Sequence, residues 1–186
     1  LNENGELISF VCKASGREFA AAPMNHFLLF KDVPRRFDAW DIDSPYEQQP
    51  VPVPDEAEIT LVADSPVCSV IRITKVIGNS KLQQEVSLAH QSDRLEFHTT
   101  VDWRELHRLL KVSFPVNVRA LEGYNEIQFG FIKRPTHRSR QYDKDRFEVC
   151  NHKYTALCDE NHGAAVLNDC KYGVSMLDNQ INLTLL

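Results

Sequence analysis

Residues 81–103 read KLQQEVSLAHQSDRLEFHTTVDW, and the placement of their apolar side chains decides the fold. Leu82, Val86 and Leu88 alternate with Lys81, Gln83, Glu85 and Ser87. After the polar Gln91-Ser92-Asp93, the alternation resumes with Leu95, Phe97, Val101 and Trp103 against Arg94, Glu96, His98 and Asp102. A period of two sends successive side chains to opposite faces of a strand, so each run has one dry face and one wet face. The polar break reads as a turn. Upstream, Gly78-Asn79-Ser80 separates this strand from the apolar run 67–77, so three consecutive strands form an antiparallel meander.

The same period recurs along most of the chain, and helical periodicity is nearly absent. Leu110, Val112, Phe114, Val116 and Val118 share one side of a further strand. Pro115 lies on the opposite side and cannot donate to a ladder, which predicts an edge strand or a bulge there. Residues 126–133, 147–154, 164–168 and 174–186 continue the pattern, the last segment folding back through Asp178-Asn179. About a dozen strands exceed what one open sheet holds comfortably, so the expected fold is all-β, with two large antiparallel sheets packed face to face in a single domain spanning 1–186. Two segments interrupt the alternation. Residues 44–56 (SPYEQQPVPVPDE) hold four prolines and predict an extended surface connection, and residues 134–146 (RPTHRSRQYDKDR) predict a solvated loop.

Composition narrows the function. Hydrophobic residues make up 42% of the 186 and charged residues 25%, with a formal net charge of −5, so no overall basic field invites a nucleic-acid backbone. The basic positions of the second half have only Tyr142 interleaved in the loop 134–146, which again argues against nucleic acid. No apolar run is long enough to span a bilayer, and no membrane partner is expected. Five cysteines, an odd number in a domain of this size, favour reduced thiols in a cytoplasm over a disulfide framework. The chain starts at Leu1 and stops within the alternating run Ile181, Leu183, Leu185, which leads to the expectation of an excerpt from a longer protein.

One cluster has the chemistry of a carbohydrate surface. In FDAWDID, residues 37–43, Asp38, Asp41 and Asp43 flank Trp40, with Tyr46 and Glu47 following. Carboxylates accept hydrogen bonds from sugar hydroxyls, and an aromatic ring stacks on the apolar face of a pyranose. On a strand, Asp41 and Asp43 would share one face and Trp40 and Ile42 the other. An acidic strand end with Trp40 in the core remains the alternative. Cys150-x-His152 with Cys158, His162 and Cys170 offers soft donors for zinc, against the usual place of isolated cysteines as small buried apolar residues; without a Cys-x-x-Cys knuckle, no metal ligand is assigned. No nucleotide-cradling glycine pattern or nucleophile elbow occurs, and no carboxylate pair stands out as catalytic.

Several longer strings add a resemblance. Asp38-Ala-Trp-Asp-Ile-Asp43 with Tyr46-Glu47, Val101-Asp102-Trp103, Leu109-Leu-Lys-Val112, Glu126-Ile-Gln-Phe-Gly130, Arg134-Pro-Thr-His-Arg138 and Leu167-Asn-Asp-Cys-Lys-Tyr-Gly173 resemble, in order, the C-terminal region of cytosolic-type α-mannosidases of glycoside hydrolase family 38. Where that pattern often has tryptophan, this chain has Tyr154. The resemblance implies a galactose mutarotase-like supersandwich. It also implies a parent enzyme, a metal-dependent glycosidase that hydrolyses terminal α-linked mannose with retention. The nucleophile and a divalent ion, usually zinc, would belong to an N-terminal catalytic domain, so no catalytic or metal residue and no cofactor is assigned to this segment, which alone is expected to be inactive.

The implied partners are that catalytic domain and a mannose-containing oligosaccharide, and a homo-oligomer is left open. Asp38, Trp40, Asp41 and Asp43, with Asn168, Asp169, Lys171 and Tyr172 of a second turn, are the residues the resemblance puts forward as substrate contacts at the rim of the pocket. Two other classes stay open: a free-standing carbohydrate-binding module using Trp40, and a mutarotase-like epimerase with His98 or His137 as the acid.

Overall fold

The structure is a computed structural model describing residues 1–38 and 40–186. Almost all regular structure in it is antiparallel β, as the period-two alternation predicts. In chain order the strands are β1 (Val11–Cys12), β2 (Arg17–Glu18), β3 (His26–Lys31), β4 (Pro50–Val51), β5 (Glu58–Asp64), β6 (Cys68–Ile77), β7 (Ser80–Ala89) and β8 (Leu95–Asp102). There follow β9 (Arg108–Pro115), β10 (Glu122–Ile127), β11 (Gly130–Pro135), β12 (Val149–Cys150), β13 (Tyr154–Cys158), β14 (Gly163–Leu167), β15 (Gly173–Leu177) and β16 (Gln180–Thr184). A 3-10 helix (Ser44–Gln48) and one short α-helix, α1 (Gln141–Asp145), complete the described elements.

The chain groups into two units, residues 1–6 with 52–106 and residues 7–51 with 107–186. The first holds the four-stranded sheet β5-β6-β7-β8, which contains the expected meander. Ile71, Val86 and Phe97 stand opposite one another across β6, β7 and β8, as do Lys75, Leu82 and Val101, so the dry faces of the three strands coincide. The N-terminal turn crosses this face. Gly5 lies so close to Ile73 that an added Cβ would sit 2.6 Å from its Cγ2, and the Lys75 ammonium, buried on the same face, donates to the carbonyls of Asn4 and Asp55, both at 3.1 Å. On the edge strand β5 the ladder shifts register between Leu61 and Ala63, and Ile59, Leu61 and Val62 are exposed.

The second unit is built on the six-stranded sheet β12-β15-β16-β9-β3-β4 and the four-stranded sheet β11-β10-β13-β14, with the β1-β2 ribbon beside them. The ladder aligns Val174, Met176, Ile181, Leu183, Leu110, Val112, Phe27 and Leu29 on one face of the large sheet, and all eight are buried. The smaller sheet meets that face at Met176. An added Cβ on Gly123 would lie 2.5 Å from the Met176 sulfur, and Asn125, wholly buried beside it, is held by Arg134 and Thr155. Two sheets facing each other over aliphatic side chains make this unit a sandwich.

Local expectations change in four places. Pro115 does not mark an edge: β9 lies between β16 and β3, and Pro115 is its last residue, where the missing donor costs no interior ladder bond. Segment 126–133 is not one strand. It breaks at the β10–β11 hairpin, with Phe129 in the left-handed region at φ 63° and fully exposed. Segment 147–154 is likewise divided, because Asn151 turns inward and its amide nitrogens donate to the Tyr172 carbonyl. Finally, the polar segments 44–56 and 134–146 are not simply solvated, since Tyr46, Thr136 and Asp143 are all buried.

Candidate functional site

The large sheet has two different faces. Opposite its apolar face, Ser175, Asn182, Ser113, Thr184 and Lys111 line up across β15, β16 and β9. At one end of this sheet the chain leaves β3 after Lys31 and returns at Gln49, whose carbonyl accepts from the Lys31 N–H at 2.9 Å. The 17 residues between them carry the first group of predicted contacts.

Within that loop, the described residues 37–38 and 40–43 do not form a strand. Phe37 adopts φ 57°, and its carbonyl accepts from the N–H groups of both Trp40 (2.8 Å) and Asp41 (3.1 Å), closing a tight turn. The expected division of Asp41 and Asp43 from Trp40 and Ile42 across a strand is therefore replaced by a turn tip. Trp40 is 92% exposed and Phe37 71%, so Trp40 is not a core residue. Asp38 lies 3.6 Å from His107. Asp43 accepts from both the backbone N–H and the Nε of Arg35, and these bonds hold its carboxyl below the usual aspartate range. Asp32 shifts upward, first through burial and then through the charge of Asp38, with Asp43 adding to it, so three carboxylates share one field. The result is an open aromatic ring among anionic acceptors.

The second predicted group forms the turn between β14 and β15. Asn168 accepts from the Lys171 N–H at 2.8 Å and donates to Asn151 at 3.0 Å, while the Asp169 carbonyl takes the Lys153 ammonium at 3.0 Å. Tyr172, 55% exposed, meets His152 edge to face at 5.7 Å. Following the ladder, the start of β15, the end of β16, the start of β9 and the end of β3 all lie at the same end of the sheet. The two groups therefore leave from one sheet end, from strand ends three strand spacings, about 14 Å, apart.

Beneath the first turn lies a polar cluster that the sequence patterns do not reveal. The Lys111 side chain, 1% exposed, donates to Glu148 and to the Tyr46 hydroxyl (3.3 Å), and the Thr184 hydroxyl also donates to Glu148. Burial pulls the Lys111 ammonium below its ordinary value against the opposing pull of Glu148, and burial, with Glu148 nearby, raises Tyr46. Tyr46 packs edge to face on Phe30 at 5.1 Å. Next to it, Arg138 donates both terminal nitrogens to Glu47, at 2.6 and 2.7 Å, and this fork holds the Glu47 carboxyl below the glutamate range. The donors and acceptors described are 36 to 91 residues apart in sequence, so no local spacing could announce them.

The other chemistries find less support in the geometry. His137 faces Asp143 at 3.8 Å beside a cavity of about 10 Å³, room for one water rather than a sugar. His98 is exposed on β8 opposite Glu85, whose carboxylate is already taken by Arg72. Among the described residues no three His, Cys, Asp or Glu side chains are placed to hold a metal ion, and Cys150 and Cys158 belong to different sheets. A catalytic divalent ion of the kind the family resemblance implies therefore does not fit this chain's own donors.

The family described as the glycosyl hydrolases family 38 C-terminal domain matches residues 1–186. Alpha-mannosidase 2C1 of Homo sapiens is 41% identical over the whole of this chain, and Alpha-mannosidase G of Dictyostelium discoideum is 36% identical over the same extent; the chain spans 18% of the length of each. A solved α-mannosidase structure from Enterococcus faecalis V583 superposes on all of this chain with a TM-score of 0.85 at 19% identity, the match covering 24% of that protein, and it supports the fold. No helix among the described residues is long and apolar enough to cross a membrane. With the family matched from the first residue to the last, the chain belongs to the family 38 glycosyl hydrolase C-terminal domains.

Proposed function

We propose that this chain is the β portion of an α-mannosidase that removes terminal α-linked mannose with retention, and that it serves as a packing module with a few sugar contacts. Bond cleavage belongs to residues elsewhere in a parent chain, in an N-terminal catalytic domain that also holds a divalent ion, zinc by preference. The observation that carries the reading is the family match over all 186 residues, together with relatives named as α-mannosidases. Asp38, Trp40, Asp41 and Asp43, with Asn168, Asp169, Lys171 and Tyr172, are the side chains we assign to the rim, because both turns flank one end of the large sheet. Mannose-containing oligosaccharide is the ligand class, and the cytoplasm is the proposed location.

The test compares two proteins. The full-length parent is expected to cleave an aryl α-mannoside, and Trp40→Ala in it is expected to raise KM. The purified 186-residue chain is expected to fold yet show no turnover, with or without added zinc or cobalt. Metal-dependent turnover by the chain alone would falsify the proposal. A second reading, a free-standing carbohydrate-binding module, draws on the 92% exposure of Trp40. It requires the isolated chain to bind mannose or oligomannose saturably and to lose that binding on Trp40→Ala.

A further inference from the structure

The turn that presents Trp40 has little apolar burial of its own. Its two large side chains, Phe37 and Trp40, are 71% and 92% exposed, and its base is tied by backbone bonds at Lys31–Gln49 and Asp32–His107. The Arg35–Asp43 pair lies inside the same loop and tightens it without fixing it to the sheet. Asp38 of the turn meets His107 at 3.6 Å with both side chains largely exposed, and a less exposed hold comes next in sequence. The 3-10 helix beginning one residue after Asp43 turns Tyr46 inward and leaves Glu47 facing Arg138.

Arg138 and Glu47 are 91 residues apart and about a quarter and a third exposed, respectively. A guanidinium fork on a carboxylate sets direction as well as distance, because two parallel N–H groups must meet two oxygens. A single ammonium cannot impose the same angle. We infer that Arg138 is a positioning residue: by clamping Glu47 it holds the 3-10 helix, and with it the Phe37–Asp43 turn, in the orientation that offers Trp40 to sugar. This rests on the reading that the turn contacts substrate. Lys111 donates to the Tyr46 hydroxyl of the same helix, but its burial makes it a poor probe, since removing it strands Glu148.

The experiment uses the full-length parent protein with an aryl α-mannoside and a mannose oligosaccharide. Arg138→Gln is expected to raise KM by roughly threefold to tenfold, the worth of one aromatic contact, with kcat held. Arg138→Lys recovers part of the loss. In a Trp40→Ala background Arg138→Gln adds less than it does alone, because the stacking contact it positions has gone. Arg72→Gln, which removes the 2.7 Å pair to Glu85 on the β6–β7 sheet, leaves KM unchanged and controls for loss of an ion pair as such.

If Trp40→Ala raises KM and Arg138→Gln does not, the sugar-contact reading stands and the role of Arg138 is overturned. Additive effects of the two substitutions, or a fall in kcat at constant KM, overturn it as well. Should Trp40→Ala leave KM unchanged, the contact itself is refuted and the positioning role falls with it.

Discussion

Lys111 carries a positive charge into a site 1% exposed, between Glu148 and the Tyr46 hydroxyl. Removing one partner of a buried pair leaves the other uncompensated, at a typical cost of 3–5 kcal/mol, whereas replacing both with apolar groups is often near neutral. Lys111→Met should therefore lower the unfolding free energy by about 3 kcal/mol or more, and Lys111→Met with Glu148→Leu should recover most of it; urea titrations of both check this. Equal destabilisation by the single and double variants would show that the pair is not the relevant interaction. At this scale the sequence was half legible. Alternation correctly puts Lys111 across the strand from Leu110 and Val112, but it equates that face with solvent. The cover comes from Tyr46 and Glu148, which no period links to β9.

Elements were legible where turn chemistry and alternation agree. The β6–β8 meander follows its predicted boundaries because Gly78 supplies φ 63° and polar residues mark the other turn. The β10–β11 hairpin was missed since Phe129 occupies a left-handed position usually given to glycine or asparagine. Trp40 followed the same logic: its segment alternates, yet Phe37 at φ 57° closes a turn and sends the indole outward. Gly123 shows what an element needs from its neighbour. With Met176 and Leu157 already 2.5 and 3.0 Å from where a Cβ would stand, Gly123→Ala should destabilise by about 1–3 kcal/mol, read from the thermal midpoint. Gly130→Ala, with no atom within 4 Å of its added Cβ, should not lower that midpoint.

For the whole molecule, the pH dependence has a definite sign. Glu18, Asp43, Glu47, Asp143 and Asp159 are all held below their ordinary values, chiefly by hydrogen bonds. A carboxylate of depressed pKa contributes stability that is complete above its unfolded value and lost as pH falls through the folded one. The urea midpoint should therefore hold above pH 4.5 and fall below it, with Glu47→Gln flattening part of that fall; an unchanged acid limb in Glu47→Gln would remove the Arg138 clamp from the account. Family membership was legible too, through strings whose meaning lies in resemblance rather than in physical pattern. The resemblance supplied the mannosidase context, and the geometry added the convergence of two turns on one sheet end. Strand β5 has a different consequence. Its exposed Ile59, Leu61 and Val62 beside an unpaired ladder make a template for cross-molecular pairing, which the kink at Leu61/Ala63 and the terminal Glu58 and Asp64 partly blunt. In concentrated stocks, this flank is where fibrillar or amorphous deposits should nucleate, and Glu58→Gln with Asp64→Asn should hasten them.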